Sequence, residues 1–238
     1  MGERLRAIVL GASSGIGKEI AIQLAGKNWQ VAVTGRRKAM LDEMAASLFP
    51  GDLLVSVFDM NELDELPARL DELVSRLGGL DLLVISAGCG FLNPELSFEL
   101  ELRTVKTNVA AFTVAVDWAF NFFKKQGKGH IAAITSVGGL TGEGAAPSYP
   151  ASKAYQILYL DSLRKRASLE KFDCHITELR PGSVDTDMMK GEGHFWISTP
   201  QQAAKLACRA IIDRRRLQYI SRRWSLIGFI LRGLALFK

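Results

Sequence analysis

Cysteine is scarce in this 238-residue chain, which holds only Cys89, Cys174 and Cys208. Their odd number, wide spacing and lack of a CxxC pair exclude a disulfide framework or a metal cluster. They point to a reduced, cytoplasmic setting with no metal site. The seven prolines form no Pro/Ser linker, and neither a low-complexity block nor a repeat period is present. Long apolar runs are missing too. Residues 1–10 hold only a short apolar run before a glycine turn, so no signal peptide is expected. The stretch 217–237 is interrupted by Arg222, Arg223 and Arg232, whereas a spanning helix needs about 20 mostly apolar residues. With 48% hydrophobic and 23% charged residues the chain can bury a full core, which excludes disordered and collagen-like classes. Its length favours one large α/β domain.

Acidic residues are absent from 214–238, where Arg214, Arg215, Arg216, Arg222, Arg223, Arg232 and Lys238 stand. Setting these seven aside leaves 23 basic and 25 acidic residues, so the net charge of +5 belongs to the tail. The body is faintly acidic, and nucleic-acid binding is not expected.

Short apolar runs at 7–10, 30–34, 53–58, 81–85, 130–135 and 174–179, with a weaker one at 217–221, alternate with helical patterns. The helical stretches are 15–27, 39–48, 62–77, 104–126 and 148–171. Runs of this length suit strands buried on both faces of a parallel sheet. The alternation predicts a single-domain α/β Rossmann fold, a doubly wound, mostly seven-stranded sheet with helices on both faces. Ligands in such folds sit at the carboxyl ends of the strands.

Residues just after the runs carry the chemistry. Gly11-Ala12-Ser13-Ser14-Gly15-Ile16-Gly17 follows the first run and opens a helix, the arrangement that lets backbone N–H groups approach a pyrophosphate. A tight turn rich in small residues is the plainer alternative. The second run ends at Gly35-Arg36-Arg37-Lys38, where an NAD site would place an acid. With Gly35 there, nothing repels a ribose 2′-phosphate, and Arg36 and Arg37 can grip one. A solvated basic turn is the alternative. Tyr149 and Lys153, four apart at a helix start, share a face, and a cation beside a phenol lowers its pKa toward acid–base use. Ser136, after the fifth run, can donate to a carbonyl oxygen; it can equally be a turn serine, and Thr135 is its neighbour and competitor.

The GxxxGxG spacing in the form GASSGIG, together with YxxxK, Ser136, Asn108 and Pro181-Gly182-Ser183-Val184-Asp185-Thr186, resembles the short-chain dehydrogenase/reductase family over about residues 7–186. The resemblance implies NADP(H) as cofactor and reversible hydride transfer between nicotinamide C4 and a carbonyl carbon. It implies Asn108, Ser136, Tyr149 and Lys153 as the catalytic set, with Asn108 kinking its helix and ordering a water that links Lys153 to solvent. Lys153 and Tyr149 would also contact the cofactor. Asp59 would meet the adenine and Met60 would add a backbone contact, although Asp59 or Asn61 can instead cap the next helix. Ala87 and Gly88 would permit close approach, beside a Ser86 that replaces the family's usual Asn. Pro181, Gly182, Val184 and Thr186 would hold the carboxamide. Residues 185–198 are similar to the family's substrate lid. Met188, Met189, Phe195 and Trp196 in it suit hydrophobic carbonyls or simply pack the lid down. Substrate contacts are assigned to Ser136, Tyr149, Met188, Met189 and Trp196, and a homodimer or homotetramer is expected.

Two other functions remain open: a non-catalytic NADP(H) sensor, which would not need the Ser136/Tyr149/Lys153 set, and a Rossmann-like methyltransferase, which the basic turn disfavours. The division expected is a domain at 1–221 and a basic, apolar tail at 222–238. If helical, the tail aligns Ile220, Trp224, Ile227, Leu231 and Leu234 along one side. It docks on the substrate site or a partner subunit, or else lies on an anionic membrane surface.

Overall fold

The computed structural model describes residues 4–47, 53–188, 195–221 and 223–226. The apolar runs form strands β1 (Arg6–Leu10), β2 (Gln30–Gly35), β3 (Leu53–Val57), β4 (Leu82–Ile85), β5 (Lys128–Ile134), β6 (Asp173–Pro181) and β7 (Leu217–Ile220). They pair in parallel as one seven-stranded sheet in the order β3-β2-β1-β4-β5-β6-β7. The helices are α1 (Gly15–Ala25), α2 (Lys38–Ala46), α3 (Leu66–Leu77), α4 (Phe98–Val105), α5 (Phe112–Gln126), α6 (Ser148–Glu170) and α7 (Pro200–Ile212).

Strand alternation explains the layers. In β1, Ile8 and Leu10 point into a core shared with α3, α5 and α6. Ala7 and Val9 point the other way, into a core shared with α1, α2 and α7. Both faces of the sheet are therefore covered, as the continuous apolar runs require. From β1 the chain builds outward to β3 and then returns to place β4 on the far side of β1. The strand order reverses there, between β1 and β4, and a ligand sits at such a switch point in this architecture.

The structure departs from the sequence reading at three places. Helix α3 starts at Leu66 rather than 62, and neither Asp59 nor Asn61 caps it; Glu65 stands at the N-cap. The expected single helix at 104–126 is α4 joined to α5 through a π-helical segment, Lys106–Ala111. Helix α7 is additional, and it is announced by a capping box in which Thr199 and Gln202 exchange side-chain and backbone bonds. No helix among the described residues is long and apolar enough to cross a membrane. Of the tail, 223–226 is helical. Arg222 and 227–238, with most of the expected stripe, lie outside the described residues, as do Met189 and the central part of the segment expected to form a lid, 189–194.

Candidate active site

The loop after β1 needs its glycines. Gly11 adopts φ +82°, and a Cβ on it would fall 2.5 Å from the Ala87 nitrogen at the end of β4. A Cβ on Gly17 would fall 2.3 Å from the Gly11 carbonyl oxygen. The loop is tied to β2 through Gly11 and Ala12 N–H groups that both donate to the Thr34 carbonyl, at 3.2 and 2.9 Å. This leaves a bare backbone cradle at the N-terminus of α1, which carries no acid in its first turn. Ile16 turns away and packs against the core. The cradle, and the hydroxyls and guanidinium beside it, fit a dinucleotide phosphate.

Arg37 reaches over the loop. Its Nε and Nη2 donate to Ser13 Oγ at 3.1 and 2.9 Å, Nη2 also donates to Ser14 Oγ at 2.5 Å, and Nη1 meets Asp187 Oδ2 at 3.1 Å. Arg36 instead pairs with Asp59 at 3.5 Å. Asp59 Oδ1 also accepts from the Asn61 N–H at 3.0 Å, a local turn. The Met60 side chain enters the core, so only its backbone remains for a ligand.

Across the crevice, Ser136 follows β5 and Tyr149 and Lys153 open α6. The Ser136 hydroxyl faces the Tyr149 phenol closely enough to favour its ionised form. It also accepts from the Gly138 N–H at 3.0 Å, so it is a turn serine as well. Thr135 is turned away and donates to the buried Glu178 at 2.9 Å. That bond ties the end of β5 to β6, and Glu178 in turn pairs within β6 with the buried Arg180 at 2.6 Å. Lys153 is buried; its Nζ donates to the Ile134 carbonyl and to Gln156 Oε1, each at 3.0 Å. That ammonium lies 5.9 Å from the centre of the Tyr149 ring. Burial pushes the Tyr149 phenol up from its ordinary value, and Ser136 only partly offsets this. The lowering by Lys153 expected from the helix spacing is not found; burial, with a smaller contribution from Cys89, sets the direction. Burial also pulls Lys153 down to about 8, against an opposing effect from Cys89.

Asn108 sits fully buried in the π-helical segment. Its side chain clamps the backbone of Cys89, with Nδ2 to the carbonyl at 2.7 Å and Oδ1 from the N–H at 2.9 Å, and Nδ2 also reaches Ser152 Oγ at 3.0 Å. Its carbonyl accepts from Gln156 Nε2 at 2.8 Å. The Gln156 amide therefore bridges Lys153 and the backbone carbonyl of Asn108. The sequence reading missed Gln156; the signal was an amide three residues after Lys153, on the same helical face. Close approach recurs here: a Cβ on Gly88 would lie 3.5 Å from Lys153 Nζ, and one on Gly90 would lie 2.6 Å from the Tyr149 ring.

The turn after β6 brings Pro181, Gly182, Val184 and Thr186 to the same end of the sheet, and Thr186 lies beside Gly15. The segment expected to form a lid is pinned at its root, where Asp185 N–H donates to the Ser198 carbonyl at 3.0 Å and Ser198 N–H to that of Ser183 at 3.1 Å. Met188 and Trp196 are both exposed beyond that root. Trp224 from the tail packs on Gly182 and stacks with Phe195 at a centroid distance of 5.1 Å. Its indole N–H is buried without a hydrogen-bond partner among the described residues. The described part of the tail thus packs on this turn and on Phe195 and Trp196.

A sequence profile described as short chain dehydrogenase matches residues 6–195. An uncharacterized oxidoreductase of Mycobacterium tuberculosis is 30% identical over 218 residues, covering 89% of this chain and 85% of that protein. A short chain dehydrogenase/reductase from Burkholderia phymatum in complex with NAD superposes with a TM-score of 0.84 at 17% identity, covering 95% of this chain and 92% of that one. ElxO with NADP bound superposes with a TM-score of 0.82 at 18% identity, covering 94% and 100%. The chain belongs to the short-chain dehydrogenase family.

Proposed function

We propose that this short-chain dehydrogenase is an NADP(H)-dependent oxidoreductase acting on a carbonyl or alcohol substrate, working as a carbonyl reductase at neutral pH. The observation that carries the reading is the convergence of Ser136, Tyr149 and Lys153 at the end of the sheet where the glycine cradle and Arg37 also lie. The cofactor supplies the hydride when bound. The backbone of 11–17 would hold its pyrophosphate, Ser13, Ser14 and Arg37 its 2′-phosphate, Arg36 and Asp59 would flank its adenosine end, and the Pro181–Thr186 turn its carboxamide.

Tyr149, with its pKa raised by burial, keeps its proton at neutral pH and can give it to a carbonyl oxygen. Ser136, beside the same phenol, donates to that oxygen as charge builds on it. Lys153, fixed by Ile134 and Gln156, presents its remaining donor toward the Gly88 side of the crevice, where a ribose would lie. Met188, Phe195 and Trp196 supply an apolar wall that favours hydrophobic carbonyls over small polar ones.

The experiment is a panel of apolar aldehydes and ketones followed by loss of reduced-nicotinamide absorbance, run with NADPH and with NADH. Turnover with a clearly lower Michaelis constant for NADPH is expected. A preference for NADH would overturn the assignment to NADP(H). Tight dinucleotide binding with no turnover of any carbonyl would favour the sensor.

A further inference from the structure

We infer that Asp187 is an internal competitor for the cofactor's 2′-phosphate, and so a determinant of how tightly and how selectively NADP(H) binds. The inference rests on the proposed NADP(H) reading and adds to it a residue on the opposite side of the crevice. Asp187 lies at the root of the lid, yet its Oδ2 reaches Arg37 Nη1 at 3.1 Å and accepts from Ser14 Oγ at 3.2 Å. Those two groups, with Ser13, make up the only side-chain cluster among the described residues that joins the glycine loop to the basic turn after β2. A carboxylate held by a guanidinium and a hydroxyl beside a helix N-terminus marks where an anion is stabilised. Arg37 and Ser14 hold Asp187 below the usual carboxylate range, as an ionised partner.

A phosphate entering that cluster must displace Asp187 or share the guanidinium with it. Sharing sets a phosphate dianion against a carboxylate within a few ångströms, an unfavourable like-charge contact. Displacement costs only an ion pair whose side chains are 48% and 72% exposed, so it is readily reversed. Arg36 does not relieve the competition, because it is turned toward Asp59. A dinucleotide without the 2′-phosphate makes no claim on Arg37 and leaves the Asp187 contact in place.

The test is equilibrium binding of NADPH, NADH, 2′,5′-ADP and 5′-AMP to the full chain, read by calorimetry, for wild type and for Asp187→Asn and Asp187→Ser. Asp187 is exposed, so neither variant threatens the fold. The expected result is NADPH and 2′,5′-ADP binding about two- to fivefold tighter in the variants, the range of an exposed ion pair, with NADH and 5′-AMP unchanged. In an Arg37→Ala background the Asp187 substitutions should have no effect on 2′,5′-ADP. Unchanged or weaker NADPH binding in the variants would overturn the role, as would equal tightening of NADH. If wild type bound neither dinucleotide, the proposed function itself would fail; NADPH binding indifferent to Asp187 would remove only this inference.

Discussion

Lys153 donates to Gln156 across 3.0 Å, and the far end of the same amide donates to the Asn108 carbonyl at 2.8 Å. The bridge joins the ammonium beside Tyr149 to the π-helical segment of the neighbouring helix, and all three residues are buried. Gln156→Leu keeps the volume but leaves one donor of Lys153 and the Asn108 carbonyl unpaired. Unsatisfied buried groups cost about 1–3 kcal/mol each. We expect kcat to fall roughly tenfold or more, with the pH at which activity is lost moving downward. Gln156→Glu restores an acceptor, adds a negative charge beside the ammonium, and should move that pH upward. Opposite shifts in the two pH profiles would separate positioning of Lys153 from simple loss of packing.

Lys153 titrates at about 8 because burial disfavours its cation. The charged form therefore dominates below that pH and is lost above it. In the proposed reaction, kcat/KM for NADPH-dependent reduction should be flat near pH 7 and fall through pH 8–9. Tyr149, shifted up, does not account for that limb. Lys153→Arg keeps its charge across the range and should abolish the limb while lowering the plateau, since a planar guanidinium cannot reproduce the bonds to Ile134 and Gln156. Steady-state rates between pH 6 and 10 provide the check.

Gly182 and Trp224 occupy each other's space: a Cβ at 182 would lie 2.0 Å from the indole ring. Gly182→Ala should displace Trp224 and destabilise the protein by about 1–3 kcal/mol, as overpacking does. The same substitution in a Trp224→Ala background should cost much less. Denaturant unfolding of the four proteins measures the coupling. Trp224→Ala alone should also raise KM for apolar substrates, because Phe195 loses the ring it stacks on.

His130 is buried between Thr177, to which its Nε2 is bonded at 2.8 Å, and His175. Burial, with His175 and Arg214 adding to it, lowers its pKa from 6.5 to about 3. The unfolded chain protonates this histidine near 6.5 and the folded chain does not, so stability is fully present above that pH. It is lost as pH falls from 6.5 toward 3, at about 1.4 kcal/mol per pH unit. His130→Gln should flatten the dependence of Tm on pH between 6.5 and 4.5 relative to wild type.

Signals that are local in sequence were readable. The apolar runs announced all seven strands, and the glycine loop, the Tyr149–Lys153 spacing and Ser136 were found where the sheet ends. Helix α7 escaped because its apolar face is mostly alanine, although Thr199 and Gln202 mark its start. The start of α3 was misplaced because Asp59 and Asn61 look like caps but form a turn of their own. Contacts between distant segments left no local signature. Arg37 with Asp187, Gln156 with Asn108, and Trp224 with Gly182 each depend on how the sheet brings separate loops together. Desolvation of Tyr149 was equally invisible, because a motif states its neighbours along a helix and not what the fold lays over them.

The central claim is that Tyr149 delivers the proton in an NADPH-dependent reduction. Tyr149→Phe removes one hydroxyl from a ring that Gly90 and Gly138 already enclose, so the fold and the phosphate cluster should be untouched. The decisive measurement is single-turnover oxidation of bound NADPH by a carbonyl accepted by the wild type, with NADPH affinity determined in parallel. The account predicts unchanged NADPH affinity and a rate lowered by at least about a hundredfold. A variant that binds NADPH equally well and turns over at the wild-type rate would contradict it.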